Sequence, residues 1–433
     1  MLLRLVCAAL ILAMGCSEDR QETNASTITE RPAPEKAHSA PTGPVYGYTY
    51  GEATGNRLVE GQGRLQEAKP VDVELSGTPD WVAGAALEED TAWVVTYTSG
   101  KVDAFRLDEA SGEVGPWLTV PDRLPPGAPP LVVSEEDRLD LATLDRCSPL
   151  THPVPTKSGL LGVTPDGLLT SESGEEPAVS APADARIVES EGDRLAVLSD
   201  PTTRYIHGVL GDAFEAGSIT ILEDGREGYT MGGRIEPESG GFFETLAPLW
   251  FRPGGDEEEL LAVTESTERM GSRISVYSPG GSLVAAGPFV GEPQRWRHLI
   301  AAGPFGPEGE VEIAAVRTPH VGGQVEFYRL NRDEGTLEIA ASGGHYLSHT
   351  IYSRNLDAAR AGDLDGDGRW ELLLPTSSYK AIEAVRHTRS GVEPAWRLPL
   401  GGNLATNLAS AADHEGRVVL AAGTLEGELR IWR

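Results

Sequence analysis

Residues 363–371 read Asp-Leu-Asp-Gly-Asp-Gly-Arg-Trp-Glu. Carboxylates stand at Asp363, Asp365 and Asp367, a glycine at Gly368 and a further acid at Glu371. Acids at alternate positions of a tight loop turn their oxygens inward, and Ca²⁺ takes six to eight hard oxygens at about 2.3–2.6 Å. Gly368 permits the bend, Arg369 offers its backbone carbonyl and Glu371 completes the set. The spacing therefore predicts one Ca²⁺ held by Asp363, Asp365, Asp367, Arg369 and Glu371. An EF-hand would need Glu at the twelfth position, and that place is Leu374, inside an apolar run. The expected ion is structural: it neutralises a crowded acid cluster and fixes a turn between two strands. A catalytic metal needs an open position and a neighbouring base, and the adjacent residues supply neither.

Other residues with chemical potential read more plainly as structure. His345 and His349 are four apart, but Gly343, Gly344 and Ser348 argue against a continuous helix, and no Glu completes a His-Glu-x-x-His zinc pattern. The run Arg295-Trp296-Arg297-His298 is basic and aromatic in an acidic chain. It reads as packing between repeated units, with an anion or sugar site as the alternative. Cys147 has no identifiable base and reads as a structural thiol. No Gly-x-Ser-x-Gly elbow, phosphate-binding loop or dinucleotide glycine motif occurs. The chain is expected to be non-enzymatic.

The elements that would carry the acidic loop repeat along the chain. Units begin at Leu246, Ile300, Ala359 and Ser410, each with the same order. A short apolar strand meets a Gly- and acid-rich turn, a strongly apolar strand follows, and a polar turn leads to an alternating strand. The apolar strands start at Leu260, Val311, Trp370 and Val418, so they lie 51, 59 and 48 residues apart. Earlier, Thr91 to Val95 and Val102 to Phe105 read as a hairpin about Ser99-Gly100, with further strands over Gly159–Leu169 and Arg186–Leu198. Units of about 40–60 residues with three or four strands are the sequence signature of β-propeller blades. Stacking such units radially buries faces that one unit alone exposes. The fold class is therefore all-β, a β-propeller over residues 45–433. Seven blades fit the length, with six or eight also compatible, and Val45 to Tyr50 is expected to close the ring.

The stretch Ala361-Gly362-Asp363-Leu364-Asp365-Gly366-Asp367-Gly368 resembles the FG-GAP, or VCBS, repeat of integrin-like propellers, with its Ala-Gly-Asp-hydrophobic-Asp-Gly-Asp-Gly turn. The resemblance implies a calcium-bearing turn inside a propeller blade. It is strong over about 20 residues and weaker over 240–433. Gly303 to Glu308 keeps the glycines without Asp, and Asp413-His414-Glu415 keeps charge without the spacing. One metal site is expected, not an array.

The first residues set the destination. Arg4 precedes an apolar run from Leu5 to Met14, too short for a membrane span of roughly 20 residues and typical of a secretory signal. Ala13-Met14-Gly15-Cys16 resembles the lipobox of bacterial lipoproteins, which implies cleavage after residue 15 and acylation of Cys16. Ser17 in place of Asp resembles outer-membrane sorting, with the periplasmic or external side left open. Residues 17–44 are polar, Pro-rich and poor in large apolar groups, so 16–44 reads as a lipidated, disordered linker. Without Cys7 and Cys16, Cys147 stands alone and no internal disulfide is expected. The net charge of −30 repels phosphate, which excludes nucleic acid as a partner class. The expected function is a binding module held on the bilayer through Cys16, presenting loops to a protein or glycan. The alternatives are a scaffold subunit of an outer-membrane or envelope complex, and a propeller hydrolase or lyase.

Overall fold

A computed structural model describes residues 45–47, 55–58, 61–117, 123–135, 138–174, 177–226, 228–255 and 257–433. The expected signal sequence, Cys16 and the linker lie outside the described residues.

Alternation decides the strands. In the strand Glu371–Pro375 every residue is buried, because successive side chains point to opposite faces and both faces are covered. Leu372 and Leu374 pack with Ile300, Phe327 and Val385 on one side. Leu373 packs with Ile382, Leu408 and Leu420 on the other. The strand Val418–Thr424 repeats the arrangement, with Leu420 and Ala422 facing back and Val419 and Ala421 facing forward to Val82 and Trp93. A strand buried on both faces reads as a continuous apolar run, which is why these segments stood out in the sequence.

Six units carry four antiparallel strands each. The first runs Trp81–Ala86, Thr91–Thr96, Val102–Leu107 and Val114–Pro116. After a reduced region come Val188–Glu189, Arg194–Thr202, Glu215–Gly225 and Gly228–Ile235. The third unit is Leu249–Phe251, Leu260–Thr267, Gly271–Tyr277 and Leu283–Ala286. The fourth is Arg297–Gly303, Glu312–Arg317, Gln324–Asn331 and Thr336–Gly343. The fifth is Arg360–Gly362, Glu371–Pro375, Ala381–Thr388 and Gly391–Pro399. The last joins Leu404–Ala412, Val418–Thr424 and Glu428–Trp432 to Pro70–Glu74, a strand from the other end of the chain.

That last pairing closes a ring. Pro70 lies opposite Trp432 and Glu74 opposite Glu428, and Arg430 grips Asp72 with two hydrogen bonds of 2.6 Å. Apolar clusters link each unit to its neighbour, and one of them joins Leu429 and Ile431 to Val82 and Trp93 of the first unit. The fold is an all-β propeller. The closing strand is not the expected Val45 to Tyr50: Val45–Gly47 pairs instead with Leu131–Glu135. Pro70–Glu74 went unnoticed because an outer strand needs only half-burial, and its alternating Val71 and Val73 are a faint signal.

Between the first and second full units, residues 131–171 form two three-stranded sheets. One joins Leu131–Glu135 and Arg138–Leu141 to Val45–Gly47. The other is Val154–Thr156, Gly159–Val163 and Leu169–Ser171. Against the expected seven blades, with six or eight compatible, the described strands thus make six full units and this reduced region.

The innermost strands are rich in small residues because backbones converge there. A Cβ on Gly84 would lie 2.6 Å from the Trp93 ring and 3.0 Å from the Ser410 carbonyl oxygen. Residues 56–58 run along two of these inner strands. Asn56 donates its backbone N–H to the Ile300 carbonyl and Leu58 to that of Ala361.

Candidate functional site

Because strands alternate in direction, successive turns fall on opposite edges of the ring. The turns 252–259, 304–311, 363–370 and 413–417 share one edge. The turns 203–214, 268–270, 318–323, 376–380 and 425–427 share the other, with the unit-to-unit connections 287–296 and 344–359. Ion pairs respect the division: Arg252 meets Glu191 and Glu259, and Arg389 meets Glu308, all on the first edge.

The acidic loop lies on that first edge, and its backbone wraps the carboxylates. Asp363 accepts the Gly366 N–H at 2.8 Å and the Gly368 N–H at 3.0 Å. Asp365 accepts from Asp367 N–H, Asp367 from Arg369 N–H, and Glu371 from Leu364 N–H at 2.9 Å. Gly366 and Gly368 take φ of 77° and 83°, conformations that glycine reaches without steric penalty. Oxygens of Asp363, Asp365 and Glu371 lie within 4.8 Å of one another, a donor set suited to a hard cation. Asp367, which is exposed, lies outside that trio.

One participant was missed in the sequence. Arg386, on the next strand, reaches back into the cluster. It bonds Asp365 at 2.6 Å, Asp367 at 2.9 Å, and Glu371. Nothing in local spacing marks Arg386, because the strand pairing Leu372 with Val385 is what brings it there. One guanidinium against four carboxylates leaves the loop negative. Burial pushes the Glu371 carboxyl up to about 7, against the opposing pull of the Leu364 N–H and Arg386. The segment before the closing strand lies on the loop: Leu65 N–H bonds the Leu364 carbonyl, and Gln66 bonds that of Asp365 at 3.1 Å. A Cβ on Gly63 would sit 2.2 Å from the Asp363 carbonyl oxygen.

The opposite edge has a different character. Ile206, Phe214, Met270, Val321, Ile351, Tyr352 and Leu425 are all exposed and all lie in its loops. Only four other large apolar side chains among the described residues are exposed, scattered elsewhere: Leu150, Leu168, Met231 and Ile339. Strained backbone gathers here too. Gln294, Thr318, Tyr352 and Tyr379 have φ between 51° and 68°, a region costly for bulky or β-branched residues. Hydrogen bonds hold them: Thr318 N–H to the Trp296 carbonyl and Tyr352 N–H to the Val209 carbonyl, each 2.8 Å.

Two loops cross the mouth of the ring on this edge. Connection 344–359 reaches the turn 203–214 two units away, burying Val209, Leu210, Leu246, Trp296 and Leu356 together. Arg354 bonds Asp184 at 2.7 Å and Asp212 at 2.9 Å. Burial and the neighbouring Asp212 push Asp184 up to about 6, opposed by Arg354. Beneath them the fully buried Asp357 meets Arg186 at 3.0 Å and gives its carbonyl to Leu408 N–H. A cavity of about 60 Å³ remains beside this plug, lined in part by Asn56, Arg186, His298 and Leu356.

The other sequence candidates fall as follows. Trp296, Arg297 and His298 are buried. Arg297 pairs with Glu326 at 2.8 Å, inside the ring. Ser348 Oγ lies 2.9 Å from His298 Nδ1, and both residues are buried. His345 is exposed while His349 is buried. Cys147 is free and half-buried, and burial pushes its thiol up to about 11.

A scan of protein-family models returns no match, and neither does a search of curated proteins. Among solved structures, the chain is similar to the WD40 domain of Toxoplasma gondii coronin. The two share 9 % identity over 87 % of this chain and 88 % of that one, with a TM-score of 0.42.

Proposed function

We propose that this chain is a non-enzymatic interaction module, anchored to a bacterial envelope membrane through acylated Cys16, that docks a protein partner on the apolar edge of its propeller. The observation that carries this reading is the set of exposed apolar side chains gathered on one edge, from Ile206 and Phe214 through Val321 and Tyr352 to Leu425. Exposed apolar clusters mark contact surfaces more often than chance. A partner with apolar side chains suits them, because burial contributes about 25 cal/mol per Å². The loops 344–359 and 203–214, joined through Leu356 and Val209, support binding over catalysis because they cover part of the ring's mouth.

The acidic loop belongs to the same proposal as a stabiliser. Asp363, Asp365 and Glu371 would hold Ca²⁺, which supplies the positive charge that Arg386 alone does not provide. The outer edge would then be fixed beneath the segment leading to the closing strand.

The docking test is a paired substitution, Ile351→Asp with Tyr352→Asp. In-cell crosslinking should recover a defined partner with the native chain and lose it with the variant, at unchanged melting temperature. Equal recovery from both would sink the reading. Anchoring is tested separately by metabolic labelling with an alkyne fatty acid, which Cys16→Ser should abolish.

A further inference from the structure

Two loops of the apolar edge bring together histidines that are far apart in sequence, His320 from 318–323 and His349 from 344–359, and a third loop, 203–214, carries His207 on the same edge. The rings of His320 and His349 lie 5.7 Å apart between centroids, inclined by 68°. Two imidazoles take about this separation on either side of one ion bound at roughly 2.0–2.1 Å from each nitrogen.

A hydrogen bond fixes which nitrogen of His349 is free. His349 is fully buried, and its Nε2 donates to the Ser353 carbonyl at 2.8 Å. A neutral ring that donates from Nε2 keeps its lone pair on Nδ1. That Nδ1 is buried with no partner among the described residues, and so is Nδ1 of His320. Buried polar atoms are nearly always satisfied, so two orphaned ring nitrogens in contacting rings call for an occupant. His207 has its Nδ1 bonded to the buried Glu244, which Ser266 holds in turn. A carbonyl or carboxylate on the far nitrogen is the outer-shell arrangement that orients metal-bound histidines.

We propose that His320 and His349 seat one borderline divalent cation of the zinc, nickel or copper class, with His207 Nε2 as the approaching third ligand and water completing the set. The three rings do not form a closed set in this structure, where among the described residues only the acidic loop gathers its ligand atoms within 4.8 Å. Imidazole nitrogens select this class of ion over calcium, which prefers the oxygens of the opposite edge. Burial also holds His349 down to about 4, so its ring is neutral and ready to ligate at physiological pH. Burial, and secondarily the nearby His207, hold His320 below the ordinary histidine value.

The test uses the full chain, purified without a polyhistidine tag. Zinc chloride is titrated calorimetrically, and cobalt is followed by its visible absorption. The expected result is one zinc equivalent with a nitrogen-ligand cobalt spectrum. His320→Ala should weaken binding by about tenfold or more, and Asp365→Asn should leave it unchanged. If His320→Ala melts early, His320→Gln takes its place, since it keeps size and polarity. No zinc binding, unchanged affinity in the His320 variant, or loss of binding only in Asp365→Asn would overturn the assignment.

Discussion

Glu371 gives the acidic loop a measurable pH signature. Its folded value of about 7 stands well above the ordinary 4.5. At 1.36 kcal/mol per pH unit, the gap is worth roughly 3 kcal/mol. The folded chain holds this proton more tightly than the unfolded one. The contribution of Glu371 to ion-free stability should therefore be greatest below about pH 4.5 and fall as pH rises to about 7. Calcium reverses the trend, because it needs the ionised carboxylate. At one hundred times its dissociation constant, a bound ion adds about 2.7 kcal/mol at neutral pH. The assay is urea denaturation of the chelator-treated chain at pH 5 and pH 7.5, with and without Ca²⁺, beside Glu371→Gln. Glutamine removes the titration, so the native-minus-variant difference isolates Glu371 from Asp184 and other buried groups. The native protein should lose about 2 kcal/mol more than the variant between the two pH values, and Ca²⁺ should restore the loss only in the native chain. Parallel pH dependence in both proteins would refute the account of the buried carboxylate. Calcium stabilisation of equal size in both would refute its place as a ligand.

Other consequences follow from the packing. Leu373→Ala removes a fully buried side chain between the fifth and last units. It should cost about 2–5 kcal/mol, read as a shift in denaturation midpoint. Deleting residues up to Glu74 removes the closing strand and bares an edge beside Glu428–Trp432. That deletion should give an aggregating chain, whereas Asp72→Ala at the half-exposed ion pair should cost about 1 kcal/mol or less. Scattering measurements on the two variants separate these outcomes. Cys147, with its thiol pushed up to about 11, should react with iodoacetamide at pH 8 far more slowly than in the urea-unfolded chain, and equal rates would contradict its burial.

The sequence carried the ring but not its seams. Runs such as Leu260 to Val263 and Val418 to Ala421 are apolar on every residue because two neighbours cover them, and that doubled burial is visible without a structure. The hairpin at Thr91 to Phe105 was equally plain, and the structure places strands at Thr91–Thr96 and Val102–Leu107. Pro70–Glu74 was invisible as a closing strand because it is half-exposed and its partner lies at the far end of the chain. Of the acidic loop, the tight glycine-bearing turn was legible from spacing. Arg386 was not, since antiparallel pairing, not local order, delivers it to Glu371. The meeting of His320 with His349 likewise depends on two loops of different units. The gathering on one edge of seven of the eleven exposed large apolar side chains among the described residues became visible only when strand direction sorted the loops.

A photo-crosslinker placed in turn along both edges in living cells tests the docking claim most directly. Positions 206, 321 and 352 should yield adducts to one partner of defined mass, and positions 308, 367 and 415 on the acidic edge should yield none. Adducts concentrated on the acidic edge, or spread equally over both, would contradict the account.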